Sequence, residues 1–266
     1  MLDSYRREIN YLRISVTDRC NLRCRYCMPS EGFRWIPHEN ILRFEEIIEI
    51  VREAVKLGIH KIRVTGGEPL LRKGIVNLIE MLASIEGVQD LSMTTNGTHL
   101  EKFARELKQA GLQRINISLD TVNAERYAYL TGGGNIERVL RGIDAALEAE
   151  LTPIKLNCVI QHNSNEIDAR TVTKFANQKG LEIRYIHQMN LAEGIFSAVE
   201  GGDGGHCEQC NRLRLTADGF IKPCLFSDLR YEVRQLGARN ALLETIRNKP
   251  KEGTTNRINY FYNIGG

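Results

Sequence analysis

The chain alternates between two kinds of hydrophobic pattern. Short apolar runs rich in β-branched residues occur near residues 11–16, 61–64, 90–94, 114–119, 153–160 and 182–187, each with the length and composition of a strand. Between them apolar residues recur every three or four positions, the mark of a helix that buries one face. Within 43–57 the repeat is Phe44, Ile47, Ile48, Val51 and Val55, with Gly58 placed to end the helix. Within 135–149 it is Ile136, Val139, Leu140, Ile143 and Leu147, behind Asn135 as N-cap. Similar faces run through about 75–85, 100–110 and 166–178. Six strand–helix units predict an α/β fold of parallel strands with right-handed crossovers, curled into a partial (β/α)6 barrel. Chemistry in such barrels gathers at the C-terminal ends of strands. The segments 20–27, 66–69, 94–97 and 118–121 fall at such ends and are predicted to meet at one mouth.

Past residue 190 the alternation stops. The reading is a barrel over 1–190, a short Gly-rich linker over 191–206, and a C-terminal segment over 207–266. Gly201, Gly202, Gly204 and Gly205 predict flexibility at the linker's end. At 266 residues, 42% hydrophobic and 26% charged, the chain has ample material for one large domain, with or without an appendage. No apolar run reaches membrane-span length, and the start MLDSYRREIN is too polar for a signal peptide. Seven cysteines, odd in number and clustered, fit a reducing cytoplasm better than a disulfide framework. A net charge of +3 is too small to argue for nucleic acid.

The cysteines carry the chemistry. Cys20, Cys24 and Cys27 are spaced C-x3-C-x2-C directly after the first strand. Three thiolates on a cubane cluster leave one of its four irons open, which is what is needed to chelate S-adenosylmethionine (SAM) through its amino and carboxylate groups. Zinc also takes clustered thiolates, but the asymmetric spacing and Tyr26 beside the last cysteine favour the cluster. Cys207, Cys210 and Cys224 form a second trio, C-x2-C-x13-C. It suits either zinc, with His206 or water as fourth ligand, or a second cluster whose open iron takes a nitrogen or oxygen of a substrate. Cys158 reads as a core residue. Gly66 and Gly67 allow close backbone approach to a ligand, and Glu68 is placed to accept from an amine or hydroxyl. Arg212 and Arg214, if extended, point to one side and suit a polyphosphate. Arg13, Arg63 and Lys155 lie on predicted barrel strands, where cations need partners. Ion pairs across the barrel would satisfy each singly; together they point to an anionic ligand.

Read together, SVTDRCNLRCRYCMP, TGGEPLLR, TTNG, NISLDT, KLNCVI, CEQCNRLRLTADG and PCLF resemble the GTP 3',8-cyclase family of molybdenum cofactor biosynthesis, which belongs to the wider radical SAM superfamily. The resemblance runs over about 11–189, resumes at Cys207 and includes the terminal Gly265 and Gly266. It implies two [4Fe-4S] clusters, the first on Cys20, Cys24 and Cys27 and the auxiliary one on Cys207, Cys210 and Cys224. It places Tyr26, Gly67, Ser118 and Met189 around SAM, and Arg13, Arg63, Thr94, Lys155, Arg212, Leu213 and Arg214 around GTP. The implied reaction cleaves SAM to methionine and a 5'-deoxyadenosyl radical that takes the C3' hydrogen of GTP. C3' then attacks C8 to give 3',8-cyclo-7,8-dihydro-GTP. Implied partners are a flavodoxin- or ferredoxin-type electron donor and a downstream cyclic pyranopterin monophosphate synthase, for a monomer or homodimer in the cytoplasm. Three departures stand out. Family members carry a longer segment before the second trio, His187 replaces an acidic residue, and the histidine expected after Lys249 and Pro250 gives way to Gly253, Thr254 and Thr255. The competing readings are a paralogue acting on another purine nucleotide or a peptide, and a non-catalytic, zinc-bearing maturation protein.

Overall fold

A computed structural model describes residues 1–27 and 32–264. The six predicted strands form as β1 (Tyr11–Ser15), β2 (Lys61–Thr65), β3 (Asp90–Thr95), β4 (Arg114–Ser118), β5 (Ile154–Ile160) and β6 (Glu182–His187). Each pairs parallel with the next. The crossovers contain α1 (Phe44–Lys56), α2 (Ile75–Ala83), α3 (Leu100–Gln109), α4 (Ala124–Thr131), α5 (Ile136–Glu148) and α6 (Ile167–Lys179). All but α4 follow the apolar repeats in the sequence. The Asn135 side chain accepts the Glu137 N–H at 2.9 Å, and Gly58, at φ +92°, follows the last turn of α1. Strand β5 shows why the sheet has two different faces. Ile154, Leu156, Cys158 and Ile160 are buried in the core, while Lys155, Asn157 and Val159 alternate to the other side.

The C-terminal segment continues this sheet. It adds β7 (Arg212–Leu215), β8 (Phe220–Lys222) and β9 (Tyr231–Glu232), then α7 (Val233–Leu236), α8 (Ala238–Arg247) and α9 (Phe261–Ile264). Strand β7 pairs parallel with β1, and β8 and β9 follow antiparallel, so the strand order is β6-β5-β4-β3-β2-β1-β7-β8-β9. Leu213, Leu215, Ile221, Leu242 and Ile246 join the same apolar core as β1 and α1, each at roughly 1.5–3 kcal/mol of burial. Among the described residues no helix is long and apolar enough to cross a membrane.

Segment 191–206 differs from its expected flexibility. Asn190 and Ile195 exchange backbone hydrogen bonds at 2.9 Å, and Tyr185 and Glu200 do so at 3.0 and 3.1 Å. The segment therefore runs back along the free edge of β6 and covers part of it. Its glycines allow this close fit: a Cβ on Gly205, at φ +83°, would lie 2.3 Å from the Ser197 carbonyl oxygen. Met28, Pro29, Gly265 and Gly266, which belong to the family motifs, lie outside the described residues.

Candidate functional site

Two adjoining cavities open on the inner face of the sheet, of about 170 and 250 Å³. Both are lined by Asn157, Ile186 and Met189. The smaller, upper cavity lies at the C-terminal strand ends, and all three cysteines of the first trio line it. Their loop is held by backbone bonds to the end of α4, from Arg23 N–H to the Thr131 carbonyl (2.8 Å) and from Arg25 N–H to that of Leu130 (3.0 Å). Gly67 also lines this cavity, but its missing side chain serves the cysteine loop: a Cβ there would lie 2.3 Å from the Arg19 carbonyl oxygen. Ser118, Thr94 and Tyr26 line the same space. The Tyr26 hydroxyl donates to Asp120 at 2.8 Å, and Asp120 also accepts the Val159 N–H at 2.8 Å. Burial pushes the Asp120 carboxyl up to about 6 despite those bonds.

Glu68 corrects an expectation. It is fully buried, and its carboxylate accepts from the Thr95 hydroxyl (2.7 Å) and the backbone N–H groups of Leu70 (3.0 Å) and Asn96 (2.7 Å). It organises the turns around the cavity, so its carboxylate is engaged by the protein itself. Burial pushes it up to about 7.

The first trio fits an iron–sulfur cluster on its own chemistry. Burial pushes all three thiols up, Cys27 to about 12 and Cys24 further, with repulsion from neighbouring thiols adding to the rise at Cys24 and Cys27 and from Glu68 at Cys20. Three thiolates in this space therefore require a positive centre. Among the described residues no three His, Cys, Asp or Glu side chains stand close enough to hold one metal ion. A cubane, being several times larger than an ion, asks for thiols around a space instead.

The lower cavity is cationic for a reason visible in the register. Arg214 pairs with Arg13, Arg13 with Arg63, Arg63 with Ser92, and Ser92 with Arg114. In-register parallel strands thus set four guanidinium side chains in one row, at roughly 4.8 Å per strand. Burial and the neighbouring arginines push Arg13 and Arg214 down, Arg214 to about 10. Arg63 is pushed down chiefly by burial. Arg114 is held by Asp90 at 2.6 and 3.0 Å. Arg212 and Arg184 also line the cavity, and the buried Arg184 Nε has no hydrogen-bond partner among the described residues.

Three of the residues assigned to GTP do not line the lower cavity, Thr94 bordering the upper one instead. Lys155 shares the inner face but pairs with Glu182 and does not line either cavity. The Leu213 side chain points into the core, opposite to Arg212 and Arg214. Conversely, the sequence reading missed Lys61, Arg114 and Arg184, which line the lower cavity. Their parity on strands β2, β4 and β6 was the available signal.

The second trio sits on the rim of the lower cavity. Burial would push the Cys210 thiol up, but the charges of Lys249 and Arg212 and hydrogen bonds from both outweigh it and bring it down to about 7. Burial keeps Cys224 raised. In metal-free protein, alkylation by iodoacetamide at pH 7 is therefore expected at Cys210 well before Cys24 or Cys27, read by peptide mass spectrometry. The Cys210 rate should rise through a midpoint near pH 7 rather than near 9. Equal labelling of the three would remove the electrostatic assignment. His187 lies 3.5 Å from Glu200, so the short segment sets a carboxylate beside this histidine.

The comparisons with known proteins agree with this geometry. The Radical SAM superfamily signature matches residues 14–176. The solved structure of anSMEcpe with bound AdoMet superposes with a TM-score of 0.66 at 16% identity, over 91% of this chain and 81% of that one. That of Streptococcus suis SuiB bound to S-adenosylmethionine gives 0.59 at 15%, over 92% and 64%. These two show the fold, a radical SAM partial barrel. The GTP 3',8-cyclase of Peptoclostridium acidaminophilum is 40% identical over 319 aligned residues, covering 100% of this chain and 98% of the relative. That of Moorella thermoacetica is 43% identical over 279, covering 88% and 86%. The chain therefore belongs to the GTP 3',8-cyclase family of radical SAM proteins. With 319 aligned positions against 266 residues, at least 53 positions have no counterpart in this chain, consistent with its shortened segment.

Proposed function

We propose that this chain catalyses the reaction its relatives are named for, closing GTP between C3' and C8 as the first step of molybdenum cofactor biosynthesis. One observation carries the reading: a cavity bordered by the first cysteine trio adjoins a second cavity lined by the guanidinium row and the second trio. A nucleotide spanning the lower cavity would present its ribose toward the upper one. Cys20, Cys24 and Cys27 would hold the SAM-binding [4Fe-4S] cluster and Cys207, Cys210 and Cys224 the auxiliary one. When bound, the first cluster and SAM supply reductive C–S cleavage and hydrogen abstraction. The protein's own residues do the rest by position. Arg13, Arg63, Arg212 and Arg214 fix the triphosphate by charge-assisted, bidentate bonds. Tyr26, Gly67, Ser118 and Met189 border SAM. Phe261 and Tyr262 of α9 add an aromatic lining to the upper cavity. Holding both reactants in one geometry is the main contribution expected of the fold.

The division into barrel (1–190), connector (191–206) and auxiliary-cluster segment (207–266) is kept as a functional proposal. A low-potential electron donor and a downstream cyclic pyranopterin monophosphate synthase complete it. The test is anaerobic turnover of reconstituted protein with SAM, dithionite and GTP. 5'-Deoxyadenosine formed in step with a cyclised GTP product is the expected result. Slow 5'-deoxyadenosine formation that ignores GTP would remove the substrate assignment and keep the SAM chemistry.

A further inference from the structure

Besides the arginine row, the lower cavity has an apolar wall. Phe196, Leu225, Phe226 and Met189 form it beside Cys224. Leu225 and Phe226 belong to a small apolar cluster distinct from the main core, with Phe196 and Met189 packed against it. Phe226 is only 4% exposed. Phe196, half-buried, lies over it with ring centroids 4.5 Å apart and planes tilted by 31°. One face of Phe196 is thus supported and the side chain borders the cavity. A Cβ built on Gly253 would stand 3.4 Å from both Cys224 Sγ and Phe196 Cε1, so ring edge and thiol are neighbours.

Phe196 is also held in place. The backbone bridges from Asn190 to Ile195 and from Tyr185 to Glu200 bracket it on both sides along the edge of β6. A Thr254 N–H bond to the Phe226 carbonyl (2.8 Å) and an Asn256 N–H bond to that of Leu191 (2.8 Å) tie the supporting elements together. The ring therefore needs little ordering when a ligand arrives, which favours binding.

We propose that Phe196 is the surface against which the nucleobase packs, so that the short segment 191–206 is part of the substrate site. This rests on the reading of GTP as substrate. A nucleoside triphosphate has one polyanionic end and one flat, apolar-faced end. The cavity offers both a guanidinium row and an aromatic wall. With the purine packed on the wall it lies beside Cys224, and the phosphates are left to the guanidiniums of Arg13, Arg63, Arg212 and Arg214. Aromatic–base stacking does not depend on base-edge hydrogen bonds, so Phe196 contributes affinity and orientation while other groups discriminate guanine.

The test is calorimetric titration of GTP and of inorganic tripolyphosphate into anaerobically reconstituted wild type, Phe196→Ala and Phe196→Tyr, at matched iron content. Phe196→Ala is expected to bind GTP about tenfold more weakly, or worse, and tripolyphosphate as well as the wild type does. Phe196→Tyr should restore GTP affinity. Retained tripolyphosphate binding shows that the variant is folded. GTP affinity unchanged in Phe196→Ala, or equal losses for both ligands, would overturn the inference. A wild type that binds tripolyphosphate but gains nothing from the nucleoside would instead overturn the GTP reading itself, and this inference with it.

Discussion

Replacing Cys24 by alanine is expected to lower iron and sulfide from about eight each per chain to about four and to abolish SAM cleavage outright. Both follow from the placement of the two trios. Cys24 lines the upper cavity, Cys210 and its partners the lower one, and the loops that carry them are anchored separately. The 20–27 loop is pinned by its own backbone to α4, so losing one thiol leaves its course intact. Cys210 lies just before β7 and Cys224 just after β8, on the far side of β1 from the rest of the barrel. Cys210→Ala should give the mirror result, half the iron with slow SAM cleavage retained. Zinc without sulfide in the wild type would end both cluster assignments. Complete iron loss in either variant would show that the two sites are filled together.

The barrel was legible because its periodicities are local. Each of β1 to β6 is a short β-branched run, and five of the six crossover helices carry an unbroken apolar stripe. Helix α4 was missed because only Tyr127 and Thr131 are buried on it, too few to make a stripe. Strands β7 to β9, of two to four residues, owe their existence to β7 pairing with β1 and to β8 and β9 adding to it in turn, which no local pattern reports. The same limit governs the site. Arg13, Arg63, Arg212 and Arg214 stood out as charges on apolar strands, but the row that unites Arg214, Arg13, Arg63 and Arg114 is a property of register. Lys155 shows the converse. It has the parity of an inner-face residue, yet β5–β6 pairing sets Glu182 opposite it, and the charge is satisfied within the protein. Leu213 was assigned to the ligand together with its neighbours, although strand alternation sends its side chain the other way.

The glycines before the second trio were misleading. Gly201, Gly202, Gly204 and Gly205 read as a flexible tether because composition reports only freedom of the backbone. In the fold that freedom is spent on close contacts: Cβ atoms at Gly204 and Gly205 would meet Val199 Cγ2 at 2.6 Å and the Ser197 oxygen at 2.3 Å. A chain lacking the family's longer segment thus still has a wall beside the second trio, built from few residues that need small side chains to fit.

Lys249→Met is expected to cost about 2–4 kcal/mol of stability and to lower auxiliary-site iron selectively, leaving SAM cleavage by the first site. Lys249 is 3% exposed, and its ammonium donates to the carbonyls of Arg212 (2.9 Å) and Pro223 (2.5 Å). Those carbonyls belong to the residue that opens β7 and to the residue before Cys224, so one side chain joins the two stretches that carry the trio. Methionine keeps the volume but strands one buried and one partly buried acceptor, a loss of roughly 1–3 kcal/mol for the buried one and less for the other. Relief of burying the ammonium offsets part of this, since burial already pushes the lysine down from its ordinary value. The charge has a second consequence. Without it the Cys210 thiol loses the largest influence holding it near 7, so its alkylation in metal-free protein should move to higher pH. A lowered-pKa thiol contributes stability above its unfolded value, lost as pH falls through the folded one. The wild type should therefore exceed the variant by more at pH 9 than at pH 6, measured by urea unfolding of the metal-free proteins. A variant as stable as the wild type at both pH values, with full iron, would show that β7 pairing alone holds the second trio in place.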